Sequence, residues 1–316
     1  MSIYGNKIKT VVFDIDGVIA CAPGRYGRRR EDEVLKKVVA RFGEDFVKAH
    51  SFIVSGFHHF IYPGVFEFIR WLVRRGIRIH FYSTGAKERN DPLVKMVLER
   101  ALENEVEHTF EEVSREMTII SRESMEEQHR LNERFGLYES SVYGGNHHKV
   151  LCPYLVDYRA LPDTLLIDDD TSYMAHGEEY NFVGGRYYEC FYEGDSAKPE
   201  ECTVEDFIEL CRTFLFAGVV GRILNLADDS GYMSLTEASK HVQYGMGDDG
   251  YQPEDCTYFE NTFYDLSFYE DGLKILREVN PQLDFPLPVP VAFRDNSKRF
   301  PPSFVGRRTP SQASTH

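Results

Sequence analysis

The sequence predicts an α/β protein built on a Rossmann-like, doubly wound parallel sheet, and three observations carry that prediction. Short apolar runs that read as strands alternate with amphipathic runs that read as helices, the pattern of successive βα units. Three strand ends carry polar residues: Asp14 and Asp16 after "TVVF", Ser83 and Thr84 after "IRIHFY", and Asp168, Asp169 and Asp170 after "TLLI". In such sheets the carboxyl ends of the strands line the ligand-binding crevice, so these distant segments should converge. The chain has 316 residues, 42% of them apolar, which is enough for one large domain or two ordinary ones with a proper core.

Taken in order, residues 8 to 13 predict a buried strand ending at Asp14, and "EDEVLKKVVARFG", residues 31 to 43, a helix closed by Gly43. The stretch "PGVFEFIRWLVRRG", residues 63 to 76, predicts a second helix with Pro63 in its first turn and Gly76 past its end. Residues 77 to 85 predict a strand and residues 91 to 103 a helix, followed by a charged, less regular insertion over 107 to 143. Residues 163 to 170 predict a strand delivering carboxylates, and residues 203 to 224 a helix broken near Gly218. Three parts are expected: an α/β domain over 1–224, a Tyr-, Asp- and Gly-rich extension over 225–293 packed on the core or forming a small accessory domain, and a flexible polar tail over 294–316.

A formal net charge of −15 argues against a general nucleic-acid binder, because affinity for a phosphate backbone rests on a basic surface. The six cysteines are scattered without a Cys-x-x-Cys pair, which speaks against a zinc knuckle or a disulfide framework and for reduced thiols. No apolar run reads as long enough to span a membrane, and "MSIYGNKIKT" lacks the apolar centre of a signal peptide. A cytoplasmic location is expected, with secretion into another cell by an unrecognised signal left open.

Two carboxylates spaced one residue apart at a buried strand end need a partner, a proton or a metal, since burial of a bare charge is costly. A nucleophilic carboxylate at Asp14 can attack phosphorus, and an acid two residues on can reach the leaving oxygen from the same strand end. Phosphoryl transfer also needs positive charge on the equatorial oxygens, from Mg²⁺ held by oxygen ligands and from a nearby lysine or hydroxyl. Lys149 and the acids at 168 to 170 are the suppliers at hand, with Asp170 also suited to capping a helix.

The sequence "VVFDIDGV", then Ser83 closing a strand, then Lys149, then "DDD" closing another, resembles the motif order of the haloacid dehalogenase superfamily. The resemblance implies that Asp14 is the nucleophile that becomes an aspartyl-phosphate and that Asp16 protonates the leaving alcohol and later activates water. It implies that Ser83 donates to the phosphoryl group, with Thr84 beside it as a candidate contact, and that Lys149 neutralises nucleophile and phosphate. The implied Mg²⁺ site uses Asp14, the backbone carbonyl of Asp16 and Asp169, with Asp168 orienting Lys149 or the metal's waters. Within this order, "YPGVFEFIRWLVRRGIRIHFYSTGAKERNDPLVKMVL", "GGNHHKVLCPY" and "LLIDDDTSYMAH" are similar to segments of the small C-terminal-domain protein phosphatases. Gly17 and Val18 stand where those have Glu-Thr, and Asp169 where they have Asn, so phosphoserine/threonine preference does not carry over and phosphotyrosine is equally open.

The gap before Pro63 leaves room for about one long helix plus connections, too little for a full helical cap, so a small cap or none is expected. That favours a phosphorylated protein or peptide as substrate; a phosphatase of sugar or nucleotide phosphates is the alternative, and a non-catalytic phosphopeptide-binding module is the alternative of another class. The run "RYGRRR", with Arg25 and Arg28, fits a phosphate grip and a solvated loop equally well. The pairs His58-His59 and His147-His148 should not bind zinc, because adjacent side chains point to different faces.

Overall fold

The computed structural model describes residues 8–21, 28–135, 148–184, 204–244 and 266–283. Strand β1 (Thr10–Phe13) is buried at all four positions, as a strand covered on both faces must be. It pairs in parallel with β5 (Arg78–Tyr82) and β7 (Thr164–Asp168), with Phe13 opposite Phe81 on one side and Ile167 on the other. Two short strands, β6 (Ile119–Ile120) and β8 (Phe182–Gly184), add in parallel at the edges, giving the order β6-β5-β1-β7-β8.

The period-2 geometry of the strands sorts the core into two layers. Val11, Phe13, Ile79, Phe81, Leu165 and Ile167 face one large cluster, whereas Val12, Tyr82 and Leu166 face a smaller one with Met125, Leu151 and Met174. Phe13 packs edge-on against Phe68 at 5.5 Å and stacks on Phe81 at 5.9 Å. The sheet is therefore the covered, doubly wound α/β sheet that the alternating pattern predicts.

Several elements depart from the sequence prediction, each for a physical reason. Between β1 and helix α3 (Val65–Arg74) lie not one long helix but β2 (Ala20–Cys21), α1 (Arg28–Phe42), α2 (Glu44–His50), β3 (Ser51–Val54) and β4 (Phe57–Ile61). The strands form an antiparallel sheet ordered β2-β4-β3, its hairpin turned at Ser55 and Gly56, both at positive φ. Pro63 lies before α3 rather than in its first turn, because Gly64 takes the cap position at φ 88°. Helix α4 (Lys87–Ala101) starts four residues before the expected point and carries Pro92 inside it. Its first turn forms because the Glu123 carboxylate, from a different element, accepts the Lys87 N–H.

The charged insertion forms α5 (Phe110–Glu116), opened by a Thr109/Glu112 capping box, then β6, then α6 (Arg122–Phe135). Helix α7 (Val204–Ser230) runs unbroken through Gly218. Its stretch Leu210–Ser230 is long and apolar enough to cross a membrane by composition, contrary to the sequence reading, but 83% of that window is buried within the protein. A helix apolar on all sides is what a core position requires. Gly218 serves close approach instead of a break: a Cβ there would lie 1.9 Å from the Phe268 carbonyl oxygen, and one at Gly272 would lie 1.7 Å from that of Phe214. Those contacts seat α9 (Leu266–Arg277) on α7, with Phe268, Ile275 and Leu276 buried. Helix α8 (Leu235–Tyr244) also packs on α7, and its Gln243 amide donates to the Phe182 carbonyl at 2.9 Å. Cys21, Cys152 and Cys211 are buried; the other three cysteines, and residues 284–316, lie outside the described residues.

Candidate active site

The crevice is built where β1 and β7 end side by side. The Asp14 N–H donates to the Ile167 carbonyl at 2.9 Å, which ties the residue after β1 to its neighbouring strand. The chain then turns sharply: Ile19 and Ala20 both donate to the Ile15 carbonyl, and Gly17 adopts φ 80°, a left-handed conformation that favours glycine. Gly17 has a second reason to lack a side chain. A Cβ there would stand 2.0 Å from Asp169 Oδ2, so the turn after β1 closes directly onto the acid after β7.

Lys149 is fully buried, and its ammonium lies 2.8 Å from Asp14 Oδ1 and 2.5 Å from Asp168 Oδ2. Its backbone N–H donates to the Tyr173 carbonyl at 2.9 Å, and the Tyr173 ring covers the ammonium at 4.7 Å. Burial works against a charged lysine, yet the two carboxylates outweigh it and hold the ammonium well above its ordinary pKa. Asp168 accepts the Asp170 N–H at 2.9 Å through its other oxygen, and Asp170 caps the 3₁₀ turn at Thr171–Tyr173 by accepting the Ser172 N–H.

Asp14, Asp168 and Asp169 offer carboxylate oxygens within 4.8 Å of one another, all buried. Burial pushes Asp14 and Asp168 above the usual carboxylate range despite Lys149, and pushes Asp169 up to about 7 despite the Arg212 guanidinium. Among the described residues, Lys149 and Arg212 are the cations ion-paired with these three buried carboxylates, so the fully ionised cluster carries unmet negative charge. An all-oxygen donor set with excess negative charge fits a hard divalent cation such as Mg²⁺, which would favour the ionised carboxylates.

Asp16 contributes no carboxylate to that cluster. Its side chain turns the other way, where Arg89 donates to both of its oxygens at 2.6 Å each. Ser83, fully buried, accepts the Gly85 N–H at 3.0 Å and lies 3.4 Å from Arg89 Nη2. Its own hydroxyl proton can thus be donated elsewhere. Thr84 lies beside it, with its carbonyl accepting Arg122 Nε–H at 2.9 Å. Arg25 and His147 lie outside the described residues, as does the side chain of Arg28, the residue that opens α1. His58 and His59 on β4 part company as adjacent strand residues do: His58 bonds Ser51 Oγ at 2.9 Å, and His59 is buried with its pKa down to about 4, chiefly from desolvation.

Two arginines in the crevice were not picked out from the sequence. Arg212, on α7, donates to the Gly17 carbonyl, lies 3.4 Å from Asp169 Oδ2 and has the Tyr62 ring at 4.7 Å from its guanidinium carbon. A lone arginine inside "LCRTFLFAGVVG" was the available signal, because a charge within an apolar stretch of helix must find a buried partner. Arg89 gave no such signal, since its position depends on where the Ser83–Ala86 loop sets the start of α4.

No protein-family model matches the chain, and no curated protein sequence matches it. Three solved chains match it in structure. Fission yeast RNA polymerase II CTD phosphatase Fcp1, as a variant bound to beryllium fluoride, is similar at 13% identity and a TM-score of 0.41, over 83% of this chain and 80% of that one. A second structure of Fcp1, titled as an essential RNA polymerase II CTD phosphatase, has the same identity and coverage with a TM-score of 0.39. The chemistry of this chain rests on the residues of its own crevice.

Proposed function

We propose that the protein is a Mg²⁺-dependent phosphatase that works through an aspartyl-phosphate on Asp14 and acts on a phosphorylated protein or peptide. The observation that carries this reading is the Asp14–Lys149–Asp168 ion-pair chain at the end of the central strand, with Asp169 closing an oxygen-donor cluster.

In the first half-reaction an Asp14 oxygen attacks phosphorus, the ester P–O bond breaks, and Asp16 gives its proton to the leaving oxygen. In the second, Asp16 takes a proton from water, whose oxygen attacks the aspartyl-phosphate; the P–O bond to Asp14 breaks and inorganic phosphate leaves. Lys149 keeps one Asp14 oxygen oriented and offsets charge on the phosphoryl group, and the Ser83 hydroxyl donates to a phosphoryl oxygen. Asp14, Asp168 and Asp169 would hold Mg²⁺, which supplies charge neutralisation on the phosphoryl oxygens when bound.

The protein-substrate part rests on the likeness of residues 62 to 98 to C-terminal-domain phosphatases. Among the described residues, the insertion after α4 is built into the sheet edge through β6 rather than standing as a separate lid. Hydrolysis of a matched panel, with Mg²⁺ and with EDTA, tests both parts: phosphotyrosine, phosphoserine and phosphothreonine peptides beside sugar and nucleotide phosphates. Metal-dependent turnover of peptides supports the reading in full. Preference for the metabolites would replace the substrate class, and no turnover by folded protein would favour a phosphopeptide-binding module.

A further inference from the structure

Arg89 stands between the two residues assigned to the phosphoryl group's leaving oxygen and equatorial oxygen. One guanidinium nitrogen donates to Asp16 Oδ1; the other donates to Asp16 Oδ2 at 2.6 Å and reaches Ser83 Oγ at 3.4 Å. The space it occupies is made for it, because a Cβ on Gly85 would lie 1.8 Å from Arg89 Nη2. The backbone beneath it is anchored: the Lys87 N–H is held by Glu123, and the buried Asn90 amide donates to the Gly85 carbonyl at 3.0 Å and to Ser121 Oγ at 2.9 Å. Any rearrangement therefore belongs to the Arg89 side chain rather than to α4.

The pair is not sealed in the core, unlike Lys149 with Asp14. The Asp16 side chain is 32% exposed and that of Arg89 16%, so separating them leaves both within reach of solvent or substrate. A fork that matches a carboxylate also matches a phosphate, which presents more charge and more acceptors. While both arms donate to Asp16, neither is directed at a ligand, and an Asp16 oxygen that must exchange a proton with the leaving group faces an N–H donor instead.

We propose that Arg89 is a substrate-responsive phosphate-binding residue, which holds Asp16 in the empty crevice and turns an arm of its fork to a phosphoryl oxygen when a phosphate monoester binds. This rests on the phosphatase reading for its meaning, but phosphate binding tests it separately. The same movement frees an Asp16 oxygen for the leaving group at the moment substrate is present.

The test compares wild type with Arg89→Met, Arg89→Lys and Gly85→Ala, the last of which puts a Cβ where the guanidinium lies and leaves Arg89 itself unsubstituted. Calorimetric titration with inorganic phosphate in Mg²⁺ reads binding without turnover, and p-nitrophenyl phosphate beside phenyl phosphate reads turnover with a good and a poor leaving group. Arg89→Met should weaken phosphate binding and raise KM by about tenfold to a hundredfold, the value of a hydrogen-bonded charge pair. Arg89→Lys should recover part of the loss, Gly85→Ala should reproduce it, and melting temperatures of the two Arg89 variants should stay close to wild type. Unchanged phosphate affinity in a folded Arg89→Met variant overturns the inference whatever the turnover, as does faster turnover at unchanged affinity, which would make Arg89 a clamp on Asp16 alone. Phosphate binding that depends on Arg89 in a wild-type protein without turnover would overturn the phosphatase reading and leave the inference standing.

Discussion

Replacing Lys149 by Met removes the only cation within hydrogen-bonding distance of Asp14 among the described residues and strands two buried carboxylates. At 2.8 and 2.5 Å, the two contacts are attractions of about 6 and about 7 kcal/mol at an effective dielectric of about 20, before desolvation is charged against them. Measured losses on deleting one partner of a buried pair are smaller, about 3–5 kcal/mol, because the native state relaxes and protonates. Even that is a large share of a stability of about 5–15 kcal/mol. The loss should depend on pH in a defined direction. Asp14 and Asp168 already sit above the usual carboxylate range, and without Lys149 they rise further. An acid whose native-state pKa exceeds its unfolded value binds its proton more tightly when folded, so stability falls as pH rises through that interval. The gap between variant and wild type should therefore be larger at pH 8 than at pH 5, as read by urea unfolding at both. Adding Asp168→Asn should restore part of the loss at pH 8 by removing one stranded charge. A gap under about 1 kcal/mol, equal at both pH values, would refute the claim that Lys149 is the charge partner on which this buried cluster depends.

Gly17→Ala forces a side chain into a left-handed turn, at about 1–2 kcal/mol, and onto Asp169; the Mg²⁺ concentration for half-maximal hydrolysis should rise, measured by metal titration. Gly218→Ala should cost about 1–3 kcal/mol in urea unfolding by pushing α9 off α7, with little change in KM. His80, buried with its pKa down to about 4, accepts the Thr118 N–H at 2.9 Å in its neutral form. Because the unfolded chain takes up that proton near pH 6.5 and the native state does not, about 3 kcal/mol of stability present above pH 6.5 should drain away as pH falls toward 4. His80→Gln should flatten that interval of the pH–stability curve.

The acid-bearing strand ends were legible because their constraint is local. A short apolar run that delivers acids can be read from β1 and β7 alone, and the period-2 pattern then places the acids at the crevice. What the sequence hid depends on contacts between distant elements. The sequence pattern places the start of α4 at residue 91, but the partner that holds the earlier turn is Glu123, from α6. Gly218 read as a break because a glycine weakens a helix locally, whereas its use is decided by α9, about fifty residues on. The same is true of the crevice: Asp16 was legible as a residue, but its direction is set by Arg89, which only the loop after β5 brings within reach.

Chemical trapping of the phosphorylated enzyme tests the central claim most directly. The protein is mixed with p-nitrophenyl phosphate and Mg²⁺, quenched, and treated with borohydride, which reduces an aspartyl-phosphate to homoserine; the peptide bearing residues 8–21 is then read by mass spectrometry. Conversion is expected at position 14, more of it in Asp16→Asn because hydrolysis of the intermediate is slowed, and none in Asp14→Asn. Turnover that persists in Asp14→Asn, or label that forms at any other residue, would contradict the assignment of Asp14 as the nucleophile.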